Sequence, residues 1–219
     1  MAAESQSTPE SNVDGWRLLG TRDFGCLWAG QVVSQIGDGL NKVALLWFVY
    51  EMTGSALKMT AIGLLQTIPP LLFGPLIGVY LDYLPKKTGM IVVDFLRALM
   101  VLLIPLFYTF DMLTLERLYV LVFLISIVST VFGPALASAV PLIVQRSQLT
   151  TANAFLQSTT NIGVLLGPAM SGLGIALIGA QNVLYVDAAT FLVSAFFLMP
   201  IRVRDSRTVK GLDVLATPV

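Results

Sequence analysis

Polar and charged side chains lie inside long apolar stretches of this chain, where they could bind a proton, a cation or a polar solute. In the first stretch, Asp38 and Lys42 are four residues apart and can pair on one helix face. At about 100° per residue, six polar side chains of this stretch fall within an arc of about 120°. They are Gln31, Ser34, Gln35, Asp38, Asn41 and Lys42. Because charges in hydrocarbon usually face a protein interior or a water-filled cavity, two interpretations stand. In the first, the helix lines a cavity and Asp38 is a proton- or cation-binding carboxylate. In the second, the charge pair of Asp38 and Lys42 holds the helix against its neighbours.

Three further groups of polar residues lie in later apolar stretches. Asp94 and Arg97 are three residues apart in the first turns of the third stretch, which favours a structural ion-pair network with the loop carrying Asp82. Asp187 has no basic neighbour in sequence, so it requires a partner from another helix. Polar side chains four residues apart in the fifth stretch could line a cavity or hydrogen-bond between helices. They are Asn153, Gln157 and Asn161.

These residues do not form a pattern typical of an enzyme. The chain has no histidine, and its one cysteine, Cys26, cannot form an intrachain disulfide. An intramembrane aspartyl protease needs Tyr-Asp and Gly-x-Gly-Asp motifs. Here Ile36-Gly37-Asp38 lacks the first glycine, and Tyr185-Val186-Asp187 interposes a residue. We expect no catalytic residues, no metal and no cofactor.

The composition predicts that these residues are carried on membrane-spanning helices. Apolar residues make up 56% and charged residues 12% of the 219 residues, against about 25% charged in soluble domains. Six segments reach the roughly 20 residues that span a bilayer, and they are too long for barrel strands. These segments are about 24–50, 59–84, 90–110, 118–144, 151–178 and 183–201. The predicted fold is an all-α membrane bundle over residues 16–201.

The distribution of basic residues predicts the orientation of the bundle. Residues 1–15 have no basic residue and are expected to form a disordered cytoplasmic tail, and 202–219 a cytoplasmic linker. With the N-terminus inside, the outside carries only Lys58 and Arg117. The inside carries nine basic residues: Arg17, Arg22, Lys86, Lys87, Arg146, Arg202, Arg204, Arg207 and Lys210. Because cytoplasmic loops are enriched in Lys and Arg, both termini are predicted to be cytoplasmic, in the inner or plasma membrane.

Glycines and prolines mark the second and fifth spans. The fifth contains Gly163-x3-Gly167-Pro168-x3-Gly172, and the second contains Gly74-Pro75-x2-Gly78. Small residues four apart allow helix backbones to approach closely, and the proline removes a backbone hydrogen bond. Gly-Pro breaks in the second and fifth of six helices fit an inverted repeat of three helices plus three.

The loop between the second and third spans carries a recognisable spacing. Gly78, Asp82, Lys86 and Lys87 read Gly-x3-Asp-x3-basic-basic. This resembles the corresponding loop of major facilitator superfamily transporters, although Tyr83 stands where arginine is usual and Pro85 where glycine is usual. The resemblance implies a loop that touches the other half of the transporter and sets its conformation, while the alternative is a positively charged cytoplasmic turn.

Longer stretches resemble the macrolide-efflux and enterobactin-exporter branch of that superfamily. These are Trp28-Ala-Gly-Gln31, Ala44-Leu-Leu-Trp47, Tyr50-Glu-Met-Thr-Gly-Ser-Ala56, Phe73-Gly-Pro75, Pro134-Ala135 and Ala152-Asn153-Ala154. The glycine motif of the fifth span, with Ser171, resembles a signature of antiporters. The resemblance implies secondary active export of bulky amphipathic compounds, macrolide-like or siderophore-like, coupled to proton entry. The absence of arginine from residues 118–144, and Leu136 at an often polar position, weaken the implied proton coupling.

The length of the chain departs from the family. Members have two six-helix halves, and this chain resembles an N-terminal half. The expected partners are the lipid bilayer, a small amphipathic substrate and a second six-helix half or another copy of the chain, but no nucleic acid. The alternative function is a non-transporting membrane fragment or scaffold that needs a second half.

Overall fold

The structure is a computed structural model that describes the backbone of residues 11–81 and 85–203 and the side chains of residues 15–77 and 85–203. Within these ranges the regular elements are α-helices and one 3-10 turn at Arg146–Gln148, so the all-α prediction is confirmed. The helices are α1 (Ser11–Leu19), α2 (Arg22–Thr53), α3 (Ala56–Leu81), α4 (Lys86–Thr109), α5 (Leu115–Thr130), α6 (Phe132–Ile143), α7 (Leu149–Ile178) and α8 (Ala180–Leu198).

Among the described residues, five helical segments are long and apolar enough to cross a membrane. They are Ala56–Ile77, Lys86–Thr109, Leu115–Ile143, Arg146–Ile178 and Ala180–Leu198. Helix α2 has 32 residues and is therefore about 48 Å long, which exceeds the thickness of the hydrocarbon core. Helix α2 is not one of these five segments, because its polar and charged residues lower its hydropathy. A sixth span through α2 therefore stays a prediction.

Two element boundaries differ from the sequence-based expectation. The predicted fourth span is divided at Val131 into α5 and α6, because Pro134 has no N–H to bond to the carbonyl of Thr130. Val131 keeps α-helical torsion angles, so the two helices continue in the same direction. Helix α1 begins at Ser11, inside the stretch 1–15 expected to be a tail. Residues 1–10 and 204–219 lie outside the described ranges.

Helix α2 lies at the centre of the packing. It contacts α8, α7 and α3, while α4 contacts α8, α5 and α6, and α3 contacts α5. Two clusters of buried apolar side chains fill the bundle. One includes Phe48, Val101 and Leu184, and the other includes Phe24, Met90 and Leu198. Each cluster draws on the start of some helices and the end of others, so successive spans run in opposite directions.

Contacts between helix ends confirm this alternation. At one end, Lys87 Nζ donates to the carbonyl of Met199 at 2.6 Å, and the backbone N–H of Arg202 donates to Asp23 at 3.1 Å. At the other end, Gln181 donates to Thr109 at 2.7 Å. The start of α2, the start of α4 and the end of α8 therefore share one face of the bundle. That this face is cytoplasmic stays a prediction from the basic residues.

Candidate functional site

A layer of charged residues lies between the two apolar clusters, and Arg97 of α4 is at its centre. The Arg97 guanidinium forms an ion pair with the Asp38 carboxylate of α2, and its Nη1 lies 3.8 Å from Asp94 Oδ1. The guanidinium also lies 3.9 Å from the ring centroid of Phe191 on α8, within cation–π range. The side chain of Asp38 is 30% exposed and that of Arg97 is 5% exposed, so Asp38 connects this buried layer to the outside.

Asp94 is fully buried between α4 and α8. Its Oδ2 accepts a 2.6 Å hydrogen bond from the Ser194 hydroxyl, and its Oδ1 faces Arg97 without a hydrogen bond to any described residue. Because α4 begins at Lys86, Asp94 and Arg97 lie deeper in the helix than the first turns in which the sequence placed them. The expected network with Asp82 falls on a residue outside the described ranges.

Asp187 of α8 is also fully buried, and its partner comes from α2. The side-chain amide of Asn41 donates to its Oδ2, while its Oδ1 has no hydrogen-bond partner among the described residues. A Cβ atom on Gly37 would lie 2.6 Å from that Oδ1 and would also collide with the Thr190 hydroxyl. The two helices can be this close only because residue 37 is a glycine.

The charges of this layer are unequal in number. Among the described residues, the single guanidinium of Arg97 faces the carboxylates of Asp38, Asp94 and Asp187, although only the first two lie within ion-pair distance. Lys42 could have balanced one carboxylate, but it is exposed and forms no ion pair with any described residue. The structure therefore pairs Asp38 with the arginine of another helix and not with Lys42.

A cavity of about 690 Å³ opens beside this layer. Five of the six polar residues of the α2 arc line it, and Ser34 is buried elsewhere. The polar part of its wall consists of Gln31, Gln35, Asp38, Asn41, Lys42, Gln66, Thr67, Arg97, Ser126, Ser129 and Thr160. Apolar side chains, among them Phe132, Leu136 and Phe191, complete it. The volume and mixed wall suit a small amphipathic molecule.

A smaller cavity of about 200 Å³ lies next to the first and shares four residues with it. The shared residues are Gln35, Asp38, Lys42 and Val164. Two glycines, Gly39 and Gly163, form part of its wall, so no side chain fills it from those positions.

The glycine motif of α7 divides between two sides of the helix. A Cβ on Gly167 would lie 2.6 Å from the Cα of Gly39, and one on Gly163 would lie 3.2 Å from the Cβ of Gln35. The Ser171 hydroxyl donates to the carbonyl of Leu40 at 2.9 Å. By contrast, Pro168 and Gly172 are exposed. The first part of the motif is thus a packing surface for α2.

The remaining predicted residues lie at the surface or outside the described ranges. Lys86 and Lys87 begin α4, where Lys87 contacts the end of α8. Only the backbone of Gly78 is described, in α3, and Asp82 is not described. The polar residues Asn153, Gln157 and Asn161 are exposed along α7, with Gln157 donating to Asn161 at 3.0 Å. The Asp38–Arg97 contact is the feature that the sequence did not reveal.

Comparison with known proteins agrees with this architecture. Residues 14–211 match the family described as transmembrane secretion effector. The chain is 30% identical over 192 residues to macrolide efflux protein A of Streptococcus pyogenes, covering 87% of this chain and 46% of that protein. It is 29% identical over 188 residues to the multidrug efflux pump Tap of Mycolicibacterium fortuitum, covering 84% of this chain and 45% of the pump.

An uncharacterized MFS-type transporter of Bacillus subtilis, YfiS, is 30% identical over 173 residues, covering 78% of this chain and 40% of that protein. The chain thus spans about half the length of the curated relatives it matches. The family match covers most of the chain and coincides with its apolar helices and their polar layer. The chain therefore belongs to the transmembrane secretion effector family of the major facilitator superfamily of transporters.

Proposed function

We propose that the chain is the N-terminal six-helix half of a secondary active exporter of amphipathic compounds, either drug-like, as macrolides are, or siderophore-like. The observation that carries this proposal is the cavity of about 690 Å³, whose wall joins the polar arc of α2 to apolar side chains. The names of two relatives, a macrolide efflux protein and a multidrug efflux pump, support the same direction of transport. The exporter lies in the cell membrane with both termini of this half in the cytoplasm.

The helix contacts support an inverted repeat of three spans plus three. The first span, α2, packs on the fifth and sixth, α7 and α8, while the fourth span, α5 with α6, packs on the second and third, α3 and α4. The third and sixth spans pack on each other. Exchanging first with fourth, second with fifth and third with sixth leaves this set of contacts unchanged. Such repeats place the substrate near the membrane midplane, and Asp38 and Arg97 of the charged layer lie near the middle of α2 and α4.

The coupling ion is a proton in this proposal, and Asp38 exchanges it. The guanidinium of Arg97 cannot neutralise three carboxylates, and an excess of negative charge in a low-dielectric interior is unfavourable. Uptake of one proton reduces this excess. Asp38 is the partly exposed member of the layer and lines the cavity, so a proton from the cavity reaches it first. Protonation weakens its ion pair and frees Arg97 for Asp94. Asp187, whose Oδ1 has no hydrogen-bond partner in the described part of the chain, is the second candidate.

Replacement of Asp38 tests the coupling. In a transport-competent assembly, we expect Asp38→Asn to abolish export against a gradient and to spare energy-independent exchange of substrate. Asp111→Asn is the matched control, because Asp111 is exposed in the loop after α4 and its φ of 53° suits asparagine. Concentrative export by Asp38→Asn would mean that another group, with Asp187 first, carries the proton.

The proposed site is completed by a second six-helix half. In transporters of this type the substrate lies between repeats, and one bundle rocks against the other. The polar stripe of α7 is exposed in this chain, and polar side chains in contact with lipid are unfavourable. A second half, or another copy of the chain, would cover them.

A reconstitution experiment tests this requirement. Proteoliposomes carrying the 219-residue chain alone should show no proton-driven export. Fusion to the C-terminal half of macrolide efflux protein A, the relative that it covers to 46%, should restore export. Transport by a chain that cross-linking shows to be a monomer would refute the need for a second half. If neither form transports but the chain stabilises a separately expressed C-terminal half, the alternative function as a non-transporting scaffold is favoured.

A further inference from the structure

We infer that the cavity selects amphipathic molecules that carry a negative charge, and that Lys42 binds the anionic group. This inference rests on the proposed export function and chooses between its two substrate classes: it favours acidic, siderophore-like compounds over macrolides, which carry a basic amine. It is carried by the position of Lys42 on the walls of both cavities, together with the pairing of the carboxylates around it.

Lys42 is an ammonium group without a counterion among the described residues. It lies one helical turn after Asp38 on α2, at a distance that allows pairing, yet Asp38 pairs with Arg97. No described carboxylate lies within ion-pair distance of Lys42, and its side chain is exposed. A cation held at the wall of a cavity inside a membrane bundle, without a partner, is unfavourable unless a ligand or water compensates its charge.

The carboxylates of the charged layer have partners other than Lys42. Asp38 is the single carboxylate that lines either cavity among the described residues, and it forms an ion pair with Arg97. Asp94 and Asp187 are 0% exposed, line neither cavity and are bonded to Ser194 and Asn41. Among the described residues, Lys42 is therefore the one cation on the cavity walls that has no carboxylate within ion-pair distance.

The smaller cavity has the size and the donors for an anionic head group. Its volume of about 200 Å³ exceeds that of a carboxylate or sulfonate, and the glycines at 39 and 163 keep it open. Lys42 and the amide of Gln35 supply donors on its wall. The adjoining cavity of about 690 Å³ offers apolar side chains to the body of the molecule. It also includes Gln66, whose buried Nε2 has no acceptor among the described residues.

The smaller cavity thus holds the anionic group of an acidic amphipath, and the larger cavity holds its apolar body. The ammonium of Lys42 makes a charge-assisted hydrogen bond to the head group, which is shorter and about twice as strong as a neutral one. Reduced access of water inside the bundle strengthens the attraction further. A cationic amphipath would meet the same ammonium as a repulsive charge.

A pair of probes that differ by one sulfonate tests the inference. The purified chain is placed in nanodiscs of zwitterionic lipid, and binding is followed by fluorescence, with empty nanodiscs subtracted. The anionic probe is 8-anilinonaphthalene-1-sulfonate, and the neutral probe is N-phenyl-1-naphthylamine, which lacks the sulfonate. We expect Lys42→Gln to weaken binding of the anionic probe about tenfold, the effect of losing one hydrogen bond between charged groups. Binding of the neutral probe should not change.

Two control variants separate charge from shape and position. Lys42→Arg should keep most of the affinity for the anionic probe, because it keeps the charge. Lys58→Gln, which removes an exposed lysine at the start of α3 away from both cavities, should change neither affinity.

Three other results would refute the assignment to Lys42, the selection of anions or the proposed cavity. Equal loss of the anionic probe in Lys42→Gln and Lys58→Gln would show a surface charge effect and refute the assignment to Lys42. Binding of the neutral probe without any preference for the anionic one would refute anion selection and leave the export proposal standing. Failure of the wild-type chain to bind either probe would refute both the inference and the proposed amphipath cavity.

Discussion

The contact between Gly39 of α2 and Gly167 of α7 provides a sharp test of the packing around the cavity. A Cβ atom placed on either glycine would lie 2.6 Å from the Cα of the other. The colliding atoms belong to backbone, so no flexible side chain can move away. We therefore expect Gly39→Ala to force α2 and α7 apart by about 1 Å, the shortfall from an ordinary van der Waals contact.

The expected cost follows from this separation. Inserting one carbon into a packed core costs about 1–3 kcal/mol, and a backbone collision belongs at the upper end. Alanine gains about 1 kcal/mol over glycine in a helix, so the net loss for Gly39→Ala is about 2 kcal/mol. Gly172→Ala is the matched control, since the same change on α7 meets no atom of the described residues within 4 Å. It should therefore gain only the helix propensity of alanine over glycine, about 1 kcal/mol. The two variants should differ by about 3 kcal/mol.

Thermal unfolding of the purified variants in detergent measures this difference. For a chain of this size, 3 kcal/mol corresponds to about 6–12 °C in Tm. Gly167→Ala should resemble Gly39→Ala, and the double variant should lose less than the sum of the two, because one separation of the helices relieves both collisions. Equal unfolding temperatures for Gly39→Ala and Gly172→Ala would refute the close crossing of α2 and α7.

Three further predictions concern the charged layer and the topology. Arg97→Gln should lower the free energy of unfolding by about 3–5 kcal/mol, because it leaves buried carboxylates without a cation, and adding Asp38→Asn should recover part of the loss in chemical unfolding. No recovery in the double variant would contradict the ion pair. In a cysteine-free background, a cysteine that replaces Thr88 should react with impermeant reagents only from the cytoplasmic side, and one that replaces Asn182 only from outside. The reverse pattern would show that the orientation in the membrane is opposite to the predicted one. In a complete transporter, Asp82→Asn should slow transport at nearly unchanged substrate affinity, whereas lost affinity with a normal conformational cycle would place this residue at the substrate.

The sequence predicted the helices well because their signal is local. The all-α fold is confirmed, and five of the described helical segments are long and apolar enough to cross a membrane, since runs of about 20 apolar residues are visible without knowledge of any contact. The polar arc of α2 was also visible, because helical geometry alone places residues such as Gln35 and Asp38 on one face. Its position beside a cavity is consistent with that pattern.

The partners of the buried charges could not be read from the sequence, because they depend on depth and on helix order. Asp38 has Lys42 one turn away, but its partner Arg97 lies 59 residues further along the chain. Asn41 and Asp187 are separated by 146 residues. To predict these pairs, one would have to know that α4 starts at Lys86 and that α4 and α8 pack against each other.

A single turn of α2 joins the charged layer to the packing of the bundle. Gly37 and Asn41 face Asp187 on α8, Asp38 faces Arg97 and the cavity, and Gly39 faces α7. Because glycine at 37 and 39 brings both neighbouring helices against this turn, no side chain intervenes to absorb a displacement of its backbone. A change in the charge of Asp38 that alters its pairing with Arg97 must therefore act on the contacts with α7 and α8 as well. In the proposed exporter, this arrangement connects a proton that arrives at Asp38 from the cavity to the packing of α7 and α8, which are two of the helices that line the cavity.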